Sequence, residues 1–322
     1  MQNVWVVRVS SIFLLCLLCL GCEWRELTVF DQQQSYSING SEVFVARYSV
    51  DLDLTDLTFS KEPLVIVHGG PVMDHSYLLP HLLTLAEDYQ LIFYDQRACG
   101  RSSLAVDSAS MNLDGFVEDI ELLRQELGLE KINLLGHSWG GLLATKYGIK
   151  YSAHLNKLIL SNSMAPSSED WQAESQKVAA ANTPQDAADR QAIINGGALQ
   201  SDDPRDAIRS LLLLSFRHQV YDTASLSKLD LYVPKDYMVR SSVFGLLGPD
   251  LASYDLYAEL GKITVPTLLL YGETEHAPAI FTDKMLERLP NARLEIIDQS
   301  GHFPFLEQPA RFTRTVFSFL KE

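Results

Sequence analysis

The sequence predicts an α/β fold, a mostly parallel central sheet with one inserted helical cap, on three observations. Short continuous apolar runs recur along the chain and stop at glycine or a polar cluster, as strands buried on both faces do. Helix-length amphipathic segments lie between them, the alternation that right-handed strand–helix–strand crossovers produce. The rhythm breaks over residues 166–262 and resumes at Val265-Pro266. The 322 residues are 47% apolar, enough for one large domain with a well-packed core. Lys plus Arg number 26 against 41 Asp plus Glu, a net charge of −15 with no basic stripe, so no nucleic-acid partner is expected.

In chain order, the first segment reads as an export signal. Arg8 is the only charged side chain ahead of residues 9–20, which are apolar apart from Ser10 and Ser11. That run is too short to span a bilayer comfortably, and a basic start, a short apolar stretch and a small residue before a cut site describe a signal peptide. Gly21-Cys22 resembles a bacterial lipobox, with Cys19 standing where leucine is usual. Residues 1–21 are therefore expected to be removed, leaving Cys22 as the first mature residue and a lipid attachment point. The protein would be exported and held as a membrane-anchored lipoprotein of a bacterial cell envelope. The alternatives are a plain signal peptide, giving a periplasmic or secreted soluble protein, and an uncleaved anchor. Cys16, Cys19 and Cys22 cluster there and only Cys99 lies elsewhere, which is no disulfide framework.

Residues 43–48 and 51–59 read as antiparallel strands at one edge. Leu64-Val-Ile-Val-His68, Leu91-Ile-Phe-Tyr-Asp95, Lys131-Ile-Asn-Leu-Leu135, Leu155-Asn-Lys-Leu-Ile-Leu160, Thr267-Leu-Leu-Leu-Tyr271 and Arg293-Leu-Glu-Ile-Ile297 read as core strands. Residues 112–127 read as a helix because Phe116, Ile120, Leu123 and Leu127 recur at helical spacing. The break is helical in character, with Val178-Ala-Ala-Ala181 and Asp186-Ala-Ala-Asp189, punctuated by Pro184, Pro204, Pro234 and Pro249. The sheet domain is thus 22–165 with 263–322, and the helical cap is 166–262. No internal repeat is evident.

The chemistry concentrates in four short segments. Gly136-His-Ser-Trp-Gly140 matches G-x-S-x-G between a strand and a helix, a sharp turn that holds the Ser138 hydroxyl exposed. His68-Gly-Gly-Pro71 follows the first core strand, where its backbone N–H groups could join the Trp139 amide in an oxyanion hole. Gly301-His302 follows the last strand, where a general base for Ser138 belongs in the chain order serine, acid, histidine. The acid falls in Tyr271-Gly-Glu-Thr-Glu-His276: Glu275 is preferred by position, with Glu273 and Asp298 as rivals. Cys99 reads as a packed structural thiol. The histidines lack metal-ligand spacing and Gly69-Gly70 lacks the ending of a phosphate loop, so neither metal nor other cofactor is expected.

Taken together, His68-Gly-Gly-Pro71, Asp95-Gln-Arg-Ala-Cys-Gly-Arg-Ser102 and Gly136-His-Ser-Trp-Gly-Gly141 resemble the proline iminopeptidase (prolyl aminopeptidase) branch of the α/β-hydrolases. The resemblance runs from about residue 63 to the end and is weakest in the cap. It implies the α/β-hydrolase fold, a peptidase that removes an N-terminal residue, often proline, from short peptides, and the roles of Ser138 as nucleophile, Glu275 as acid, His302 as base, and Gly70 and Trp139 as oxyanion donors. Two positions depart from the pattern. Val72 stands where the loop of this branch usually has a further glycine. The cap, from which relatives hold the substrate amine with glutamates, has only Glu169, Glu174 and Glu259, with Asp202, Asp203, Asp206 and Asp250 as possible substitutes.

The expected activity is a serine hydrolase acting as a proline-type aminopeptidase through an acyl-enzyme. The alternatives are a carboxylesterase or lactonase on the same triad and, in another class, a non-catalytic binding protein of the same fold. Small peptides or esters are the expected substrates. Oligomeric state is not legible.

Overall fold

The computed structural model describes residues 6–15, 24–50, 52–53, 58–70 and 72–322. The main-sheet strands are β1 (Val6–Leu15), β2 (Trp24–Ile38), β3 (Ser41–Ser49), β6 (Pro63–Val67), β7 (Gln90–Tyr94), β8 (Ile132–His137), β9 (Leu155–Ser161), β10 (Thr267–Gly272) and β11 (Ala292–Ile297). Two short strands, β4 (Leu52–Asp53) and β5 (Thr58–Phe59), pair only with each other. The sheet order is β1-β2-β3-β7-β6-β8-β9-β10-β11. From β7 to β11 all neighbours are parallel, and β1, β2 and β3 continue the sheet antiparallel.

The six core strands run within one or two residues of the predicted segments, because a parallel strand covered on both faces is apolar along most of its length; β11, at the sheet edge, also carries the partly exposed Arg293 and Glu295. In β6, Val65 and Val67 point into one core with Phe116 and Leu142, while Leu64 and Ile66 point into the other with Phe305 and Phe312. The first face is covered by helices Leu113–Glu126 and Trp139–Tyr151, the second by Pro309–Lys321. Asn112 caps the first of these helices by accepting from the Gly115 N–H at 2.8 Å.

Two edge expectations are corrected. Residues 51–59 do not join the sheet; their two short strands form a separate hairpin. The strand beyond β3 is β2, which the sequence reading missed because Gln32-Gln33-Gln34-Ser35 breaks the apolar pattern. Gln32 is nevertheless buried, and its Oε1 accepts from Arg47 Nη1 at 3.0 Å, a polar pair that alternation rules do not anticipate. Within the expected signal segment, Val6–Leu15 pairs with Trp24–Gln33 at the outer edge, so no other strand depends on it. Cys22 lies outside the described residues. Among those described, no helix is long and apolar enough to cross a membrane.

Between β9 and β10 every helix or strand is helical: Ser168–Ala180, Pro184–Asn195, Arg205–Phe216, Tyr237–Phe244 and shorter turns. Pro184 opens its helix behind a reciprocal Thr183–Asp186 capping box, where a missing N–H does no harm.

Candidate active site

The sheet brings the tips of β6, β8, β9 and β10 to one end, where the cap helices close over a cavity of about 430 Å³. Gly70, Ser138, Trp139, Glu275 and His302 all line it, together with Trp171, Glu174 and Arg190 from the cap. The predicted site residues therefore converge on one space.

Ser138 sits between β8 and its helix at φ 56°, ψ −122°, a conformation that costs an L-residue roughly 1–3 kcal/mol. Three backbone hydrogen bonds hold it: its N–H donates to Ser161 O (3.0 Å), and its carbonyl accepts from Gly141 N (2.9 Å) and Met164 N (3.0 Å). The turn is tight enough to require glycine on either side. A Cβ at Gly136 would lie 2.3 Å from the Gly140 oxygen, and one at Gly140 would lie 2.2 Å from the Val67 oxygen. The Ser138 hydroxyl has no hydrogen-bond partner among the described residues, a looseness common where the catalytic contact tightens only with substrate.

His302 Nδ1 and Glu275 Oε1 are 2.8 Å apart, both largely buried. The rival carboxylates are occupied elsewhere. Glu273 accepts from the Gln299 N–H at 2.8 Å, and Asp298 pairs with Arg311 on the exposed surface. Glu275 is thus the carboxylate placed to fix the imidazole with Nε2 directed away from it.

Gly69 and Gly70 approach the elbow closely: a Cβ at Gly70 would stand 3.1 Å from the Trp139 ring. The Gly69 N–H donates to Tyr77 Oη at 2.7 Å, while the amides of Gly70 and Trp139 have no acceptor among the described residues. Both remain available to an oxyanion. Pro71 lies outside the described residues. Val72 is fully buried at φ 61°, a left-handed conformation unfavourable for a β-branched side chain.

Two buried networks position these parts. Gln96 joins the loop to the elbow: its Oε1 accepts from Trp139 Nε1 (2.8 Å) and its Nε2 donates to the His68 carbonyl (2.6 Å). Burial holds His68 below the ordinary imidazole value, so it is neutral. Its Nε2 accepts from the Gln96 N–H at 3.0 Å, leaving Nδ1–H to donate to Gly69 O at 2.6 Å. His137 is likewise kept neutral by burial. Its Nε2 lies 2.9 Å from the His302 carbonyl, which can only accept, so Nε2 carries the hydrogen. Nδ1 must then accept from the Tyr77 hydroxyl at 2.7 Å, while that hydroxyl's oxygen takes the Gly69 N–H. A continuous chain therefore links the Gly69 amide, Tyr77, His137 and the backbone of His302. Tyr77 carried no motif signal, and His137 could be found only as the variable residue inside the elbow.

The Asp95–Ser102 segment is a structural buttress. Arg97 is buried and pairs with Asp119 through two hydrogen bonds, Nε to Oδ2 at 2.6 Å being one. Asp95 accepts from His75 Nδ1 at 2.6 Å and from the Arg101 N–H at 2.7 Å. Asp74, His75 and Asp95 converge closely enough to suit a metal ion, but Arg101 supplies cationic charge there, with Nη1 2.6 Å from Asp74 Oδ2. Burial pushes the Cys99 thiol up, which suits a packing role.

The cap supplies one carboxylate to the cavity, Glu174. Burial, with Glu275 nearby, raises it to about 8. The other candidates do not line the cavity. Glu259 pairs with Lys262, Asp203 with Arg205 and Asp206 with Arg209, Asp250 accepts from the Leu113 N–H, and Glu169 and Asp202 are exposed. Arg190 was not foreseen.

The model of the alpha/beta hydrolase fold family matches residues 62–309. The chain belongs to that family. Its relatives include a proline iminopeptidase of Clostridioides difficile (strain 630), 29% identical over 268 residues, which are 82% of this chain and 91% of that protein. The crystal structure of a proline iminopeptidase from Mycobacterium smegmatis superimposes with a TM-score of 0.66 at 21% identity, covering 90% of this chain and 97% of that one. An esterase from Exiguobacterium antarcticum does so with a TM-score of 0.63 at 25% identity, covering 88% and 97%. The hydrolase fold is thus shared by peptidases and esterases.

Proposed function

We propose that this α/β-hydrolase is a serine aminopeptidase that releases the N-terminal residue, proline among the candidates, from short peptides. The observation that carries the reading is Glu174: a cap carboxylate facing the same cavity as Ser138, His302 and the free amides of Gly70 and Trp139. A substrate's ammonium group placed against Glu174 would set the first peptide bond at the serine.

Attack of Ser138 Oγ on the peptide carbonyl transfers the hydroxyl proton to His302 Nε2, and Glu275 steadies the resulting imidazolium through Nδ1. The carbonyl oxygen becomes an oxyanion held by the Gly70 and Trp139 N–H groups. Collapse breaks the C–N bond as His302 protonates the departing amine. Water, deprotonated by His302, then attacks the acyl-enzyme and releases the amino acid with Ser138 regenerated.

A carboxylesterase or lactonase reading is the second, favoured by the structural likeness to an esterase and by the presence of one cap glutamate rather than several. Purified protein lacking residues 1–21 is to be assayed on alanine and proline p-nitroanilides and on short-chain p-nitrophenyl esters. Turnover of the anilides supports the aminopeptidase; ester turnover alone refutes it. Loss of fluorophosphonate labelling in Ser138→Ala identifies the nucleophile, and no labelling of the wild type would favour a binding protein. Export and lipid attachment at Cys22 remain part of the proposal, and Cys22→Ser should move the full-length protein out of the membrane fraction.

A further inference from the structure

Among the residues lining the cavity, Glu174 and Glu275 are the only carboxylates and Arg190 the only lysine or arginine. Glu275 is engaged by His302, which leaves one acid and one base facing the substrate space from the cap. They stand on different helices, Ser168–Ala180 and Pro184–Asn195, and do not pair with each other. Arg190 has no ion-pair partner at all among the described residues. Its neighbours are different: Arg205, Arg209 and Arg217 each hold an aspartate, and Arg217 takes both Asp186 and Asp189 from the helix that carries Arg190. The acids that could have neutralised Arg190 along its own helix are therefore committed elsewhere.

We propose that Arg190 receives the C-terminal carboxylate of the substrate, so that the enzyme is selective for very short peptides with both termini free, dipeptides first. The inference rests on the aminopeptidase reading, in which Glu174 takes the other end. A guanidinium offers a planar fork of donors that matches a carboxylate, and a site with an unpaired arginine and a carboxyl able to ionise against an ammonium is complementary to a zwitterion. The dimensions agree. About 430 Å³ lies toward the small end of ligand cavities (~300–1,000 Å³), and an extended dipeptide spans only about 7 Å. A longer peptide would carry its carboxylate out past the cap, and an amidated or anilide substrate would bring no charge to Arg190.

The test compares alanyl-alanine and prolyl-alanine with their C-terminal amides, reading kcat/KM from the released amino acid. Each enzyme form is scored by its own acid-to-amide ratio, which cancels differences in folding or active fraction. The wild type is expected to prefer the free acid by about tenfold, the low end for a hydrogen bond to a charged group because Arg190 is exposed. Arg190→Gln should bring the ratio to near one, and Arg190→Lys should restore part of it. A wild-type ratio near one, or a preference that survives in Arg190→Gln, overturns the inference. Cleavage of the amides and of proline p-nitroanilide as efficient as that of the free acids would leave the aminopeptidase standing and remove only the carboxylate site. Failure to cleave any of these substrates overturns both.

Discussion

Replacing Glu174 by glutamine removes a charge while keeping the shape, and its consequences can be worked out for stability and catalysis separately. Burial, with Glu275 beside it, raises this carboxyl from 4.5 to about 8, and the buried Tyr254 and Tyr271 feel its charge. The folded state therefore holds the proton more tightly than the unfolded chain. The stability this confers is complete below about pH 4.5 and is lost as pH rises through 8. At about 1.4 kcal/mol per pH unit of separation the ceiling is near 5 kcal/mol, and solvent contact of a half-buried side chain reduces it to about 2 kcal/mol. Glu174→Gln carries no such dependence, so between pH 5 and 9 the wild type should lose about 2 kcal/mol more than the variant in urea unfolding. For catalysis the carboxylate must be ionised and the substrate amine protonated. With the first near 8 and a free α-amine near 7.7–8.0, kcat/KM on alanine p-nitroanilide should follow a bell centred close to pH 8. The variant should lose ten- to hundredfold on that substrate at pH 8, the worth of a charge-assisted contact, and lose the bell as well. Turnover of p-nitrophenyl acetate, which has no amine, should change little. An equal loss on both substrates, or a bell that persists in Glu174→Gln, would refute the assignment of Glu174 to the substrate amine.

Three further outcomes are expected. Glu275→Gln should lower kcat by about 10³–10⁴-fold, as loss of the imidazole's anionic partner does elsewhere, whereas Glu273→Gln, whose carboxylate only accepts from the Gln299 backbone, should leave kcat nearly intact; the reverse order refutes the acid assignment. Gln96→Leu strands the Trp139 indole N–H and the His68 carbonyl in the core, and should cost about 2–4 kcal/mol of stability by denaturant titration together with a fall in kcat at unchanged KM. Tyr77→Phe leaves the Gly69 N–H and His137 Nδ1 without partners, so a loss of about 1–3 kcal/mol and a kcat lowered on esters and anilides alike are expected; wild-type kinetics would show that the buried chain has no part in aligning the site.

The core of the fold was legible because its physics is local. A strand sandwiched between two helical layers is apolar along most of its length, and β6 to β10 announce themselves in that way, whereas β11 at the sheet edge carries the partly exposed Arg293 and Glu295. The elbow was legible for the same kind of reason, since a strained serine between close-packed backbones admits only glycine at Gly136 and Gly140. What stayed hidden depends on tertiary partners. Gln32 is buried in β2 because Arg47 comes across from β3, and no spacing in one strand reports the residue opposite. Tyr77 acts through contacts with Gly69 and with His137, 60 residues away, so nothing near it in sequence marks it.

Val72 shows how far a family pattern can be translated into physics. The usual glycine at that place is explained by the backbone: φ is 61°, where a side chain costs roughly 1–2 kcal/mol. Valine is tolerated because its side chain is wholly buried in the core with Trp139 and Leu142, and burying a valine contributes about 1.5–3 kcal/mol. The substitution therefore leaves the loop geometry, and the Gly70 amide it presents, in place. The scarcity of cap glutamates resolves differently. Only position 174 faces the cavity, and the same cap supplies an unpaired arginine at position 190. The departure in the loop is a change of packing. In the cap, the charged groups that line the cavity are Glu174 and Arg190, so on the proposed reading these two are where substrate specificity should be decided.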